Sequence, residues 1–184
     1  MTSFFRIHSG GVVRNGFGVL LVGPSGSGKS TLVVRLVTDG FSLLADDEVW
    51  VDPESLLLHS NPRYLLLKES AWDLFPAYRE KFIHAKEKER LSWWLHSDDI
   101  RRGCRAAPTP LWGVICLKPR SGDHPVLEEI GQAEALSNII KESMNFPSDA
   151  RLSVLIKMVK GAKLFRLNIG DLDECAQMLL EVLP

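Results

Sequence analysis

Cysteine is scarce in this chain. Cys104, Cys116 and Cys175 are the three among 184 residues, and no two form a C-x-x-C pair. So odd and scattered a set supports neither a disulfide framework nor a zinc knuckle; it is expected of buried small hydrophobes in a reducing compartment. Neither sign of charge is in excess: 22 Lys and Arg face 23 Asp and Glu, a formal net charge of -1. Without a cationic field no nucleic-acid partner is expected. No apolar run approaches the roughly 20 residues that span a bilayer, so no membrane partner is expected either. The opening MTSFFRIHSGG lacks the apolar core of a secretory signal, and a cytoplasmic location follows. There is no repeat, low-complexity tract, G-x-S-x-G elbow or H-E-x-x-H pair. His84, His96 and His124 have no metal-ligand spacing. The apolar share of 45% and charged share of 24% are those of a globular chain, and the length suits one domain over residues 1–184.

Strand and helix patterns mix along the chain, which predicts an α/β fold. Phe4–His8 and Val12–Val13 read as strand pieces, with a turn at Arg14-Asn15-Gly16. Gly18–Val22 is a strand, Lys29–Asp39 a helix, and Phe41–Val51 a single strand. Leu56–His59 and Tyr64–Lys68 are further strands around a turn at Asn61-Pro62. Residues 70–105 are rich in charge and tryptophan and read as a lid or acceptor segment. Residues 106–110 read as a linker, Leu111–Lys118 and Lys163–Asn168 as strands, and residues 132–144, 150–160 and 172–183 as helices.

The strongest signal is Gly23-Pro24-Ser25-Gly26-Ser27-Gly28-Lys29-Ser30, an ungapped G-x-x-x-x-G-K-[ST] match between a strand and a helix. Its glycines let backbone N–H groups converge on a phosphate without β-carbon clashes, and the helix that follows offers its positive end. Lys29 would reach the β- and γ-phosphates and Ser30 would ligate magnesium, with Thr31 completing the nucleotide-binding run. The cofactors predicted from the loop are therefore a nucleoside triphosphate and Mg2+, and the resemblance described below implies ATP as that nucleotide. Asp46 and Asp47 follow Lys29 by seventeen and eighteen residues. An apolar run that ends in acid delivers carboxylates to a metal site. One of the pair would polarise the magnesium shell and the other would accept a proton from an attacking hydroxyl.

The run from Gly18 through Ser30, then Gly40-Phe-Ser-Leu-Leu-Ala-Asp-Asp47, resembles the catalytic domain of the HPr kinase/phosphorylase family. That family joins its phosphate loop to an Ala-Asp-Asp strand at this separation. It also carries a histidine fifteen residues before the first loop glycine, where His8 stands here. The likeness covers about residues 7–47. It implies a P-loop mixed sheet flanked by helices, related to phosphoenolpyruvate carboxykinase, and transfer of the ATP γ-phosphoryl group to a serine hydroxyl of a protein or peptide. By position, Asp47 would be the general base with Asp46 assisting, Lys29 would hold the phosphates, and His8 would line the phosphoryl site. The family commonly forms hexamers, so a homo-oligomer is implied.

The family's second signature is a glutamate followed by an isoleucine-arginine-glycine run. Here the stretch is Leu67-Lys68-Glu69-Ser70, so Glu69 is the candidate metal ligand and the arginine and glycines are absent. No phosphorylase activity is therefore expected. Lys68 is a second candidate for neutralising the transition state, beside Arg79, Arg90, Arg101, Arg102 and Arg105. Trp93 and Trp94 read as packing. Two alternatives stand beside the protein kinase: a small-molecule kinase or carboxykinase-like enzyme, and a non-catalytic switch in which nucleotide orders residues 70–105.

Overall fold

The computed structural model describes residues 4–60, 62, 64–87, 90–119, 122–143 and 149–184. The chain opens with strands β1 (Phe5–His8), β2 (Gly10–Arg14) and β3 (Phe17–Val22). Asn15 and Gly16, both at positive φ (50° and 81°), make the two-residue turn that lets β2 and β3 pair as a twisted hairpin. The glycine-rich loop follows, then helix α1 (Lys29–Thr38).

The single strand expected over Phe41–Val51 is two. β4 (Ser42–Ala45) pairs with β2, and β5 (Glu48–Val51) pairs with β1. The break falls at Asp46-Asp47 because the opposing chain breaks too. Ser9, buried between β1 and β2, donates its N–H to the Asp47 carbonyl at 3.1 Å. Both carboxylates therefore leave a bend and are not constrained to opposite faces of a pleat.

Beyond β5 come β6 (Leu57–His59) and β7 (Tyr64–Lys68). Residues 70–105, read from the sequence as a lid or acceptor segment, hold a run of short regular elements. Two 3-10 turns, Glu69–Leu74 and Pro76–Lys81, lead into β8 (Ile83–Glu87), β9 (Arg90–His96) and the short helix α2 (Ser97–Ile100). β7, β9 and β8 form a separate three-stranded antiparallel sheet. Its inner residues Leu65, Leu67 and Leu95 are fully buried with Ala71 and Phe75 against the side of α1. Asn61, Lys88 and Met144 lie outside the described residues, as do the side chains of His84, Lys86 and Arg90.

The expected linker ends inside β10 (Thr109–Lys118), whose first residues pair with β6. β11 (Val126–Glu129), α3 (Gln132–Lys141), α4 (Asp149–Gly161), β12 (Lys163–Asn168) and α5 (Leu172–Val182) complete the chain. β10 runs parallel to β3 and β12, and the other pairings are antiparallel. The result is a mixed nine-stranded sheet with helices on both faces. Strand alternation sorts the core. Val19, Leu21, Ile115 and Leu117 face α1, α5 and the small sheet. Leu20, Val22, Val114 and Cys116 face α3 and α4. Two buried faces explain why β3 and β10 read as continuous apolar runs.

Candidate active site

The site lies where β3 ends and α1 begins. Gly26 and Gly28 sit at φ 85° and 92°, a region costly to any residue with a β-carbon. Gly23 is required for space. A β-carbon there would stand 2.8 Å from the Leu117 carbonyl and 2.9 Å from Ser27 Oγ. The loop folds back through Ser27 N–H to the Pro24 carbonyl at 3.1 Å. No acidic residue occupies the first turn of α1, so its positive end faces no carboxylate of its own.

Lys29 is the first residue of that helix and is buried. Its Nζ donates to the carbonyls of Gly23 at 2.6 Å and Pro24 at 3.2 Å. Burial holds the ammonium below the usual lysine range. The carboxylates of Glu142, Asp47 and Asp46 act the other way, and the Lys68 charge adds to the lowering. Lys29 is thus curled around its own loop, within the field of three acids.

Asp46 is also buried. Burial is the main cause of its pKa rising to about 6. The backbone N–H of Leu66, donating to Oδ2 at 2.7 Å, and the nearby Ser30 hydroxyl both act against that rise. Oδ1 is shut off from solvent with no hydrogen bond within reach, as is Ser27 Oγ. Two such orphaned oxygens beside one loop are the mark of a site built for a further partner.

Asp47 is mostly exposed and forms a chain with His8. His8 Nε2 lies 3.0 Å from Asp47 Oδ1, and Nδ1 lies 3.2 Å from Glu142 Oε2. A neutral imidazole donates to only one of these. Glu142 follows the last residue of α3, and its carbonyl accepts the His8 backbone N–H at 3.0 Å, so α3 is pinned to β1 at this point. Sequence reasoning missed Glu142. It lies 134 residues from His8, in no motif, and only the pairing of a helix end with a strand edge joins them. The Leu66 N–H was missed too, since any residue but proline supplies one.

The sequence-derived candidates fall into two groups. Lys29, Ser30, Asp46, Asp47 and His8 come together around the loop Gly23–Gly28, with Thr31 one residue further into α1. Glu69 opens the 3-10 turn and is exposed; among the described residues nothing links it to Ser30 or Asp46. Arg101 donates to the carbonyls of Gly40 and Phe41, at the far end of α1, about 15 Å along the axis from Lys29. Arg79 pairs with Asp73 at 2.8 Å and lies over Trp72. Trp93 packs on Trp72 at 4.2 Å between ring centres.

These residues fit a magnesium–nucleotide. Lys29 and the glycine cradle suit phosphate oxygens, and the orphaned Asp46 Oδ1 beside Ser30 suits a hard cation. Among the described residues no group of three or more His, Cys, Asp or Glu side chains is arranged to hold a metal ion by itself. A magnesium ion that keeps its waters and takes substrate phosphates needs only one or two carboxylates.

No family model matches this sequence, and neither does any curated protein. One solved structure, the Hpr(Ser) kinase/phosphatase from Coxiella burnetii, aligns over 96% of this chain and 97% of its own at 14% identity with a TM-score of 0.41. A likeness at that level does not say which residues act. No helix among the described residues is long and apolar enough to cross a membrane.

Proposed function

We propose that this chain is an ATP- and magnesium-dependent phosphotransferase of HPr-kinase type, acting on an alcohol acceptor, with a serine hydroxyl of a protein or peptide preferred over a small-molecule alcohol. The observation that carries the reading is the division of labour between adjacent aspartates. Asp46 is buried beside Ser30 with an orphaned oxygen, whereas Asp47 is exposed and held by His8. A metal-side carboxylate and a solvent-side base are what phosphoryl transfer to a hydroxyl requires.

The glycine loop and Lys29 hold the triphosphate, with the Lys29 ammonium exchanging its carbonyl partners for phosphate oxygens. Ser30 and Asp46 would hold the metal, which when bound neutralises phosphate charge. The acceptor oxygen attacks the γ-phosphorus, its proton passes to Asp47, and the bond to the β,γ-bridging oxygen breaks, leaving ADP and a phosphoester. His8, fixed by Glu142, keeps the Asp47 carboxylate turned toward the acceptor.

The test is a labelling experiment. The protein and its Lys29→Ala variant are incubated with magnesium, γ-labelled ATP and soluble extract of the source cells, and both proteins and small molecules are resolved. A labelled species that depends on Lys29 is expected, and its size gives the acceptor class. Label found only as free phosphate, or none despite nucleotide binding, would overturn the kinase reading.

A further inference from the structure

Phosphoryl transfer needs positive charge near the oxygens where the transition state builds negative charge. Arg101 and Arg79 are bound elsewhere. Besides Lys29, a second lysine stands at the loop, from the small sheet. β7 buries Leu65 and Leu67 and turns Tyr64, Leu66 and Lys68 outward. Its free edge is tied to the site, because the Leu66 N–H donates to Asp46. Two residues further on, Lys68 Nζ stands 3.2 Å from the position a β-carbon would take on Gly26, in the middle of the loop. Lys68 makes no ion pair among the described residues. It therefore adds a second ammonium to a place that already holds Lys29 and the positive end of α1. Asp46, Asp47 and Glu142 are the acids that act on Lys29; Lys68, placed over the loop, is set to meet an anion that enters the glycine cradle.

We propose that Lys68 is a catalytic residue of the phosphoryl transfer, a cation supplied in cis by β7 to the transferring group. The inference rests on the nucleotide-dependent kinase reading above. In the step itself Lys68 stays protonated. It donates hydrogen bonds to the γ-phosphoryl oxygens and the β,γ-bridging oxygen as the bond to ADP breaks and the bond to the acceptor forms. Lys29 binds the ground-state triphosphate; Lys68 acts on charge that grows during transfer.

The acceptor is not needed for the test. ADP with magnesium and aluminium fluoride mimics the transferring phosphoryl group, so its affinity relative to ADP with magnesium reports transition-state binding alone. Both would be measured by calorimetry on the unmodified protein and on Lys68→Ala and Lys68→Arg. Lys68→Ala is expected to lose about 100-fold of the gain from aluminium fluoride, over and above any change in ADP affinity, with Lys68→Arg retaining most of the gain. An undiminished gain in Lys68→Ala overturns the Lys68 role and leaves the kinase reading standing. So does a parent protein that binds ADP but gains nothing from aluminium fluoride. A parent protein that binds no nucleotide at all overturns both. Because Lys68 is exposed, loss of folding is not expected, and unchanged thermal unfolding of both variants verifies that.

Discussion

Folding moves the Asp46 carboxylate out of water, and that burial lifts its pKa from 3.8 to about 6. The native state then holds a proton that the unfolded chain has released. Between roughly pH 4 and pH 6 folding takes up a proton, so this group's contribution falls as pH rises, by at most about 3 kcal/mol. Asp46→Asn keeps an acceptor for Leu66 N–H and abolishes the charge. It is expected to raise the melting temperature of the metal-free protein at pH 8, to leave it nearly unchanged at pH 4, and to weaken magnesium–ATP binding. Thermal unfolding at the two pH values measures this; a lower melting temperature at pH 8 would contradict it. Asp47 is exposed, so Asp47→Asn is expected to leave folding and ATP affinity intact while slowing transfer by about 100-fold or more. Filter-bound nucleotide against labelled product separates the two effects. At this scale the carboxylates and Lys29 were legible because they lie in contiguous motifs. Glu142 and the Leu66 amide were not, because folding alone brings them from opposite parts of the chain.

The unit of strand β3, glycine loop and helix α1 is the element most open to sequence reading, since its glycines, lysine and flanking apolar runs are continuous. Gly26→Ala tests it. The φ of 85° and the Lys68 ammonium beside the added methyl oppose the substitution through backbone strain and displacement of a charge. A stability loss of about 1–2 kcal/mol is expected, with a tenfold or greater fall in nucleotide affinity, read from urea unfolding and calorimetry. Elsewhere the elements were harder to read. Apolar continuity across Phe41–Val51 concealed the bend at Asp46-Asp47, because the partner strands, not the local pattern, set where a strand stops. β11 is four residues, Val-Leu-Glu-Glu, paired only with β12, and its charge masked it. Charge and tryptophan in residues 70–105 suggested a lid. Phe75, Tyr78 and Trp93 join the core that α1 also packs into, and Trp72 packs on Trp93.

For the molecule as a whole, the continuous apolar runs of β3 and β10 fit a sheet covered on both sides; the strand order did not follow from them, since pairing joins residues far apart. Nucleotide binding should register across the fold. At a magnesium–ADP concentration 100 times its dissociation constant, about 2.7 kcal/mol of stabilisation is expected, a rise of roughly 5–10 °C in melting temperature for a chain of this size. The shift should vanish in Lys29→Ala and shrink on chelation of magnesium. β6 and β10 pair directly, Leu58 against Thr109, so everything between them departs from and returns to neighbouring positions in one ladder. Lengthening such an excursion costs closure entropy only logarithmically. A change of length within this excursion is therefore expected to leave the register of the sheet in place, as long as Cys104 and Ala106 keep their backbone bonds to Leu43. Leu66 and Lys68 lie on that excursion and reach back to Asp46 and Gly26, so exchange of the whole excursion would alter the glycine loop's surroundings as well.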